Sequence, residues 1–473
     1  MAAIREIKVD VAVVGSGPGG QKAAIQAAKL GQQVFLVERE LELGGASLNS
    51  GTIPSKSLRE AILDLTDFRE RSFYGKDHPV PAVSIDALNH RLAQVLAAER
   101  AVVMRQLRKN GVHWLHGVAS FTDPHTLEVT DGEGQLVARI WAKQIILATG
   151  SRPRHPAGIT FDGQVVVDST QLLRIGRVPR SLIVIGAGVI GSEYASFFAA
   201  LGVPVTVVDQ RDHMLPHLDS EVGTHLQGAL SQMGLRFIGN RRWLTVARVG
   251  DMARVEVDDG ANPDTHETLE ADVVLCAVGR EAQVDGLAIE RAGLELTPRG
   301  YIPVNELFQT AVSHIFAVGD LIGHPTLAST SMEQGRLAAR HALHALARPF
   351  PEVYPQGIYT IPEISFCGAT EEELRDRGVH YEVGRAYYYE IARGQIEGAD
   401  VGMFKLLFHA ETLEILGVHI IGRAATEVVH IGQVAMTFHA RLDFFVETIF
   451  NYPTYAEGYR IAALNGFNKI PAR

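Results

Sequence analysis

The sequence predicts an α/β fold in which two similar βαβ units are followed by a mixed α+β region at the C-terminus. Residues 8–14 are an apolar run of strand length, followed by a glycine-rich turn, an alanine-rich helix and a second strand at 33–37. The same succession recurs at residues 181–209. Strands that alternate with helices in this way favour parallel sheets. Beyond a proline-rich stretch at 349–355, strand and helix patterns mix over residues 356–473.

Length, composition and charge limit the class of protein. The chain has 473 residues, enough for roughly three domains, and 46% of its residues are hydrophobic. Its formal net charge of −10 argues against a nucleic acid partner, because a polyanion would be repelled. No apolar run approaches the roughly 20 residues that a membrane helix needs. No signal sequence precedes the first strand, so we expect a cytoplasmic protein with no membrane partner.

The cysteines offer no redox or metal site. There are only two, Cys276 and Cys367, and each lies in an apolar stretch. They do not form a Cys-x-x-Cys pair, and neither has a partner at a metal-ligand spacing. Both are therefore predicted to be structural core residues.

The first glycine-rich turn has the spacing of a dinucleotide fingerprint. Gly15, Gly17 and Gly20 form G-x-G-x-x-G between the predicted strand and helix. The first glycine permits the tight turn, the second lets the backbone approach a pyrophosphate, and the third lets helix and strand pack closely. Glu38 ends the next strand, 23 residues after Gly15, where a carboxylate can bind a ribose hydroxyl.

The second unit repeats this arrangement and predicts a second dinucleotide site. Gly186, Gly188 and Gly191 form the fingerprint, and Asp209 follows Gly186 by 23 residues. Asp209 would accept the 2′-hydroxyl of NAD(H), whereas Arg211 could meet the 2′-phosphate of NADP(H). This acid and base together allow both nucleotides to be used without requiring it. A solvated surface charge is the alternative for Arg211.

Three further segments carry a family resemblance. Residues 145–150 end in Ala-Thr149-Gly150, residues 315–320 end in Gly-Asp320, and residues 44–56 contain Gly-Thr-Ile-Pro-Ser-Lys. With the two fingerprints, these segments resemble the FAD-dependent disulfide reductases that bind two dinucleotides, a family that includes glutathione reductase and lipoamide dehydrogenase. The resemblance covers essentially the whole chain.

The resemblance implies an architecture of two Rossmann-like dinucleotide-binding domains plus an α+β C-terminal dimerisation domain. It places the first part of the FAD-binding domain at 1–155, the NAD(P)-binding domain at 156–278, the second part of the FAD-binding domain at 279–348 and the dimerisation domain at 349–473. A homodimer or larger homo-oligomer is expected. By the same resemblance, Asp320 binds the ribityl chain of FAD.

The redox segment departs from the disulfide reductases. Their two cysteines correspond to Ser47 and Thr52, and a hydroxyl forms neither a disulfide nor a stable thiolate. A second departure lies near the C-terminus, where the family has a His-Pro-Thr with a glutamate five residues after the histidine. Tyr452 replaces that histidine here, while Glu457 remains. His324, in another His-Pro-Thr, follows the flavin segment and is not expected to substitute for it.

With both cysteines and the histidine replaced, the soluble pyridine nucleotide transhydrogenases are the members of the family that this chain most resembles. They share the threonine of Gly-Thr-Ile-Pro-Ser-Lys and the Phe-Asn-Tyr-Pro-Thr segment, here at 450–454. The resemblance implies FAD as cofactor and hydride transfer between NADPH and NAD⁺ in a ping-pong cycle. NAD(H) and NADP(H) would be the substrates.

The resemblance also implies which residues take part. Lys56 and Glu193 are expected to form an ion pair beside the flavin, and Tyr452 and Glu457 to lie near the active site of the other subunit. The remaining residues expected to contact a dinucleotide are Thr52, Thr149, Gly150 and Gly279. A bridge that only fixes the packing is the alternative for the ion pair.

Other interpretations stay open at this point. A flavin-dependent NAD(P)H oxidase or quinone reductase would share every nucleotide motif, and a non-catalytic redox-sensing flavoprotein would keep the folds alone. Glu427 and His430 have the spacing of a carboxylate-bridged metal helix. Since the chain has one such copy, an interface helix is favoured and no metal is expected. His419 and His439 lack any evident partner.

Overall fold

A computed structural model of the chain describes residues 4–70, 85–260, 262–399 and 401–470. The chain divides into two compact units. As far as their residues are described, the first unit is built from Met1–Ala61, Pro79–Arg154 and Gly279–Phe350. The second unit is built from Ile62–His78, His155–Val278 and Pro351–Arg473.

The α-helices of the described residues alternate with strands over most of the chain. In chain order they are α1 (Pro18–Lys29), α2 (Gly45–Asn49), α3 (Thr52–Glu70), α4 (Ile85–Lys109), α5 (Ser169–Leu172), α6 (Val189–Ala200), α7 (Ser220–Gln232), α8 (Ala328–Ala342), α9 (Glu371–Asp376), α10 (Ala392–Glu397), α11 (Ala425–Thr437), α12 (Asp443–Glu447) and α13 (Glu457–Phe467).

The strands form one sheet in each βαβ region, two small sheets and a C-terminal sheet. In chain order they are β1 (Arg5–Val14), β2 (Val34–Glu38), β3 (His113–His116), β4 (Val118–Asp123), β5 (Thr126–Thr130), β6 (Leu136–Leu147), β7 (Ser151–Pro153), β8 (Val166–Val167), β9 (Leu182–Ile185), β10 (Val205–Val208), β11 (Arg236–Ile238), β12 (Trp243–Val249), β13 (Met252–Asp259), β14 (Asn262–Ala271), β15 (Val273–Cys276), β16 (Arg280–Ala282), β17 (Ile315–Ala317), β18 (Gln356–Ile358), β19 (Ile364–Gly368), β20 (Tyr381–Tyr387), β21 (Met403–His409) and β22 (Ile415–Ile421).

The first unit is organised around a seven-stranded sheet. Its strand order is β3-β2-β1-β6-β5-β4, and β17 pairs in parallel with the C-terminal part of β6. Buried aliphatic residues on β1, β2 and β6 face both sides of the sheet and contribute to a hydrophobic layer on each side. Helices α1 and α8 pack together so closely that a Cβ added at Gly335 would lie 2.0 Å from the carbonyl oxygen of Gly19. Glycine is therefore required at this helix contact.

The second unit contains a parallel five-stranded sheet and an antiparallel one. The parallel sheet has the order β11-β10-β9-β15-β8, and the antiparallel β12-β13-β14 sheet packs against it through shared core residues. The C-terminal sheet has the order β18-β19-β22-β21-β20, with α11 and α13 packed on it. The fold class predicted from the sequence is confirmed.

The spacing of apolar residues predicts a largely helical segment over residues 56–110, and its clearest apolar face holds Leu92, Val95, Leu96, Val102, Val103 and Leu107. Helices α3 and α4 confirm this prediction over the described residues. The apolar face lies on α4, where Val103 and Leu107 are buried and the four other predicted positions are half-buried. Residues 71–84, which belong to the segment predicted as largely helical, lie outside the described residues. In the part of the chain that the structure describes, no helix is long and apolar enough to cross a membrane.

Candidate dinucleotide sites

The first fingerprint forms a turn into which only glycine fits at two of its three positions. Gly15 has a φ of +101°, and a Cβ there would lie 2.4 Å from the carbonyl oxygen of Ala148. A Cβ at Gly20 would lie 1.9 Å from the oxygen of Gly15. At Gly17 a Cβ would meet no described atom within 4 Å, and α1 begins at Pro18. The turn thus leaves open space before a helix N-terminus, where an anion is favoured.

Glu38 lies buried at the end of β2 and is tied to this turn. Its Oε2 accepts hydrogen bonds from the amide of Ser16 at 2.8 Å and from the Ser16 hydroxyl at 2.6 Å. Its Oε1 accepts from the amide of Glu40 at 2.9 Å. A carboxylate has about four acceptor positions, so one position remains for a ribose hydroxyl.

The second fingerprint repeats this geometry in the second unit. Gly186 has a φ of +100°, and a Cβ there would lie 2.5 Å from the oxygen of Ala277. A Cβ at Gly191 would lie 1.9 Å from the oxygen of Gly186, whereas Gly188 has no described neighbour within 4 Å of that position. The two units therefore share the same division of roles among their three glycines.

Asp209 differs from Glu38 in its partners. Its Oδ2 accepts from the amide of Ala187 at 2.6 Å and from Nη2 of Arg211 at 2.6 Å. Its Oδ1 accepts from the amide of Arg211 at 2.9 Å and from Nε of Arg211 at 2.7 Å. Burial would raise the pKa of Asp209, but these hydrogen bonds outweigh it and hold the pKa below its usual value. The carboxylate is thus ionised and ion-paired.

Asp320 is held in place by two residues that the sequence did not single out. It lies in a short 3₁₀ helix after β17, and the hydroxyl of Ser151 donates a short hydrogen bond to its Oδ2. Arg280 donates from Nε to the Ser151 hydroxyl at 2.8 Å and from Nη2 to the Ser151 carbonyl at 2.7 Å. Its Nε lies 3.9 Å from Asp320. The only sequence signal was that Ser151 directly follows Thr149-Gly150.

The other flavin-segment residues present unused polar atoms and open space. The hydroxyl oxygen of Thr149 is buried and has no hydrogen-bond partner among the described residues. Gly150 and Gly279 have φ values of +69° and +111°, and a Cβ at either would meet no described atom within 4 Å. A buried polar group without a partner is costly unless a ligand satisfies it. These observations fit a bound FAD in the first unit.

Two helices carry Thr52 and the residues expected to form the ion pair beside the flavin. Thr52 begins α3 and is exposed, and Lys56 follows one turn later and is half-buried. Glu193 lies on α6 in the second unit, 4% exposed, and its Oε1 accepts from the amide of Tyr359 at 2.9 Å. The pairing of Lys56 with Glu193 stays a prediction.

The C-terminal pair differs in exposure. Tyr452 is 72% exposed in the single chain. Glu457 begins α13, and its Oε2 is buried without a hydrogen-bond partner among the described residues. Their roles stay predictions. Glu427 and His430 are exposed on α11, and no metal-type cluster of the described residues includes them.

Two histidines that lack an evident partner in the sequence have one in the structure. His419 is fully buried and its Nε2 lies 2.8 Å from the carbonyl oxygen of Ala369. His439 lies 2.9 Å from a carboxylate oxygen of Glu414. Both partners come from other elements of the C-terminal sheet region, so spacing along the chain could not reveal them.

A buried ion cluster in the second unit was also missed. Lys405 on β21 is fully buried, and its Nζ lies 2.7 Å from Asp219, 2.9 Å from Glu221 and 2.8 Å from Glu371. The three carboxylates lie within 4.8 Å of one another, as in a cation site. The lysine ammonium supplies that cation. Burial would lower the pKa of Lys405, but the three acids raise it above its usual value.

The fold and the two fingerprint sites define an α/β protein built to hold two dinucleotides. Family models agree: residues 9–335 match "Pyridine nucleotide-disulphide oxidoreductase" and residues 354–463 match the dimerisation domain of that family. The chain belongs to the pyridine nucleotide-disulphide oxidoreductase family. Members of this family use FAD, as the sequence predicted.

Named relatives extend over almost the full length. A protein of Mycobacterium tuberculosis named soluble pyridine nucleotide transhydrogenase is 47% identical over 98% of both chains. A protein of the same name from Yersinia pestis is 41% identical, again over 98% of both. Among solved structures, LpdA from Mycobacterium tuberculosis superposes with a TM-score of 0.88 at 27% identity, covering 97% of this chain and 99% of LpdA. The flavoprotein disulfide reductase RclA from Escherichia coli superposes with a TM-score of 0.86 at 24% identity, covering 96% of this chain and 99% of RclA, and supports the fold alone.

Proposed function

We propose that this chain is an FAD-dependent NAD(P)⁺ transhydrogenase that moves hydride between NADPH and NAD⁺. The observation that carries the proposal is a family flavoprotein whose nucleotide fingerprints are intact while Ser47 and Thr52 stand at the positions of the redox cysteines. A chain without a redox disulfide cannot reduce a disulfide substrate by thiol–disulfide exchange. It does keep both glycine fingerprints and the acids that follow them. The names of relatives at 47% and 41% identity support the same function.

FAD, when bound, supplies a carrier that takes up hydride from one nicotinamide and gives it to another. The groups proposed to hold that cofactor are the turn at Gly15–Gly20 and the remaining acceptor position of Glu38. Asp320, which Ser151 and Arg280 position by hydrogen bonds, is the third. The buried hydroxyl of Thr149 has a free donor for the same ligand. These groups all belong to the first compact unit.

The second fingerprint is the site proposed for the nicotinamide nucleotides. One such site favours a ping-pong cycle, in which the oxidised nucleotide leaves before the second nucleotide binds. Lys56 is assigned the task of favouring the reduced flavin through its positive charge, and Glu193 that of orienting Lys56. Glu193 is itself held by the amide of Tyr359.

The chain is also proposed to form a homodimer. The match of residues 354–463 to the dimerisation domain supports this assembly. Tyr452 and Glu457 lie within that region and are proposed to lie near the partner's flavin. The relatives named soluble support a cytoplasmic location.

The test is anaerobic mixing of the purified flavoprotein with NADPH and thio-NAD⁺, with no other acceptor. Growth of the thio-NADH absorbance, with parallel lines in double-reciprocal plots, is the expected result. A flavin that NADPH reduces but thio-NAD⁺ cannot reoxidise would overturn the proposal and favour quinones or oxygen as acceptors. A flavin that NADPH leaves oxidised would instead favour a non-catalytic protein.

A further inference from the structure

The two acids that end the ribose strands are not equally available to a ligand. Glu38 accepts three hydrogen bonds, all from Ser16 and Glu40. Asp209 accepts four, and two of these come from the side chain of Arg211. Because a carboxylate offers about four acceptor positions, Asp209 has none left for a ribose hydroxyl.

The four donors to Asp209 fall into two classes. The amides of Ala187 and Arg211 belong to the backbone and are fixed by the fingerprint turn and the strand end. The two guanidinium donors belong to a side chain that is 45% exposed, whereas the Asp209 side chain is 4% exposed. The guanidinium can therefore turn to solvent or to a ligand, while the two backbone amides hold the buried carboxylate.

We propose that Arg211 acts as an exchangeable cover on Asp209 and sets the balance between NAD(H) and NADP(H) at one site. NAD(H) needs an acceptor position on Asp209 for its 2′-hydroxyl, so Arg211 must release at least one bond. NADP(H) brings a phosphate dianion beside a buried carboxylate, so Arg211 must turn from the carboxylate to the phosphate. Binding of either nucleotide thus breaks the same ion pair, but only NADP(H) offers Arg211 a new partner, so the cover disfavours NAD(H) relative to NADP(H).

This inference deepens the proposed function, since it takes both nucleotides as ligands of the second fingerprint. The alternative is that Asp209 and Arg211 act independently, one on the ribose hydroxyl and the other on the phosphate. The two hypotheses predict different effects of removing Arg211 on NAD(H) binding. If Arg211 only bound phosphate, its removal would leave NAD(H) binding unchanged. If Arg211 also covers Asp209, its removal uncovers an acceptor and NAD(H) binds more tightly.

The test uses the holoenzyme with oxidised flavin and titrates NAD⁺ and NADP⁺ by calorimetry, since neither transfers hydride to the oxidised flavin. Arg211→Gln is expected to raise the dissociation constant for NADP⁺ about tenfold or more and to lower that for NAD⁺ about threefold. Arg211→Lys keeps the charge but loses the two-pronged contact, so both shifts should be smaller.

Arg254→Gln is the matched control. Arg254 lies on β13, its side chain is 46% exposed, and it pairs with Glu270 at 2.8 Å. This variant should change neither dissociation constant by more than about twofold. An NAD⁺ affinity that is unchanged or weaker in Arg211→Gln would overturn the inference. Failure of the proposed function can be distinguished from failure of this inference. If the unchanged protein binds both nucleotides but forms no thio-NADH, hydride exchange is refuted, while the measured affinities still test the role of Arg211.

Discussion

At the scale of single residues, Ser151 connects Asp320, the residue expected to bind the ribityl chain of FAD, to Arg280. Its hydroxyl donates to Asp320 and accepts from Arg280, so it fixes the carboxylate without charge of its own. Ser151→Ala is expected to weaken FAD binding about tenfold, because Asp320 then lacks the group that orients it. The dissociation constant of FAD, measured by flavin fluorescence on reconstituted apoprotein, tests this.

The control for that experiment is Ser313→Ala, at an exposed serine of the same unit. Its FAD affinity should equal that of the unchanged protein. If Ser151→Ala also bound FAD normally, the hydrogen bond to Asp320 would be a packing feature without effect on the cofactor. Circular dichroism of the apoproteins separates a lost contact from a lost fold.

Lys56 is the residue whose loss should affect chemistry rather than binding. Lys56→Met keeps the length of the side chain but removes the charge proposed to favour reduced flavin, so reduction by NADPH should slow on the order of 100-fold. Stopped-flow bleaching of the flavin gives this rate directly. Lys143→Met removes a lysine that pairs with Asp10 at the surface and should leave the rate unchanged. Equal rates in both variants would remove Lys56 from the mechanism.

What the sequence could and could not predict follows from the range of each contact. Glu38 and Asp209 stand at a fixed spacing from their fingerprints, so a local pattern predicted where they lie. Ser151 meets Arg280 across 129 positions and Asp320 across 169, and no local pattern carries that information. The cover of Arg211 on Asp209 is local, yet it depends on a rotamer, which composition and spacing do not determine.

At the scale of elements, the Lys405 cluster ties helices α7 and α9 to strand β21. Asp219 caps α7, Glu371 begins α9, and both reach the same ammonium group. Lys405→Met should destabilise the protein by about 3–5 kcal/mol, because it removes the ammonium group that pairs with the fully buried carboxylate of Asp219. Urea unfolding followed by circular dichroism measures this.

Lys143→Met serves as the comparison for the buried lysine, because its ion pair with Asp10 is at the surface. Its cost should be below about 1 kcal/mol. A similar, small cost for Lys405→Met would mean that the three carboxylates take up protons or water once the lysine is gone. The result therefore distinguishes a structural cation from a neutral packing residue.

The same cluster should make the stability of the folded protein depend on pH in the acid range. Burial would raise the pKa of Glu221, but hydrogen bonds from Arg385 and Lys405 lower it from 4.5 to about 2. A lowered folded-state pKa stabilises the protein above the unfolded value, and this contribution is lost as the pH falls from about 4.5 towards 2. Glu221→Gln should therefore lose less stability across this window than the unchanged protein does.

Thermal unfolding at a series of pH values tests that prediction. The variant should be less stable at pH 7, and the two unfolding midpoints should converge as the pH falls. Glu447→Gln, at an exposed position on α12, should follow the unchanged protein throughout. Parallel curves for Glu221→Gln and the unchanged protein would contradict the role given to the ion pairs.

At the scale of the whole molecule, one turn is used twice with different partners. Both fingerprints place a glycine against a neighbouring carbonyl and leave the second glycine facing open space, yet only the second acid carries an arginine. The proposed function assigns one resident cofactor to the first site and repeated binding and release of nucleotides to the second. The backbone geometry of the two turns is therefore the same, and the side chains around their acids are what distinguish them.

The thiols of the chain are expected to be unreactive in the folded protein. Cys276 and Cys367 are its only cysteines, and burial raises the pKa of each to about 12. At pH 8 about one thiol in 10,000 would be ionised, so an aromatic disulfide reagent should label the native protein very slowly and the unfolded protein with two thiols. Leu41→Cys, at a position 84% exposed, should label at once. Rapid labelling of the native protein, with hydride exchange lost in step with it, would contradict the structural role given to both cysteines.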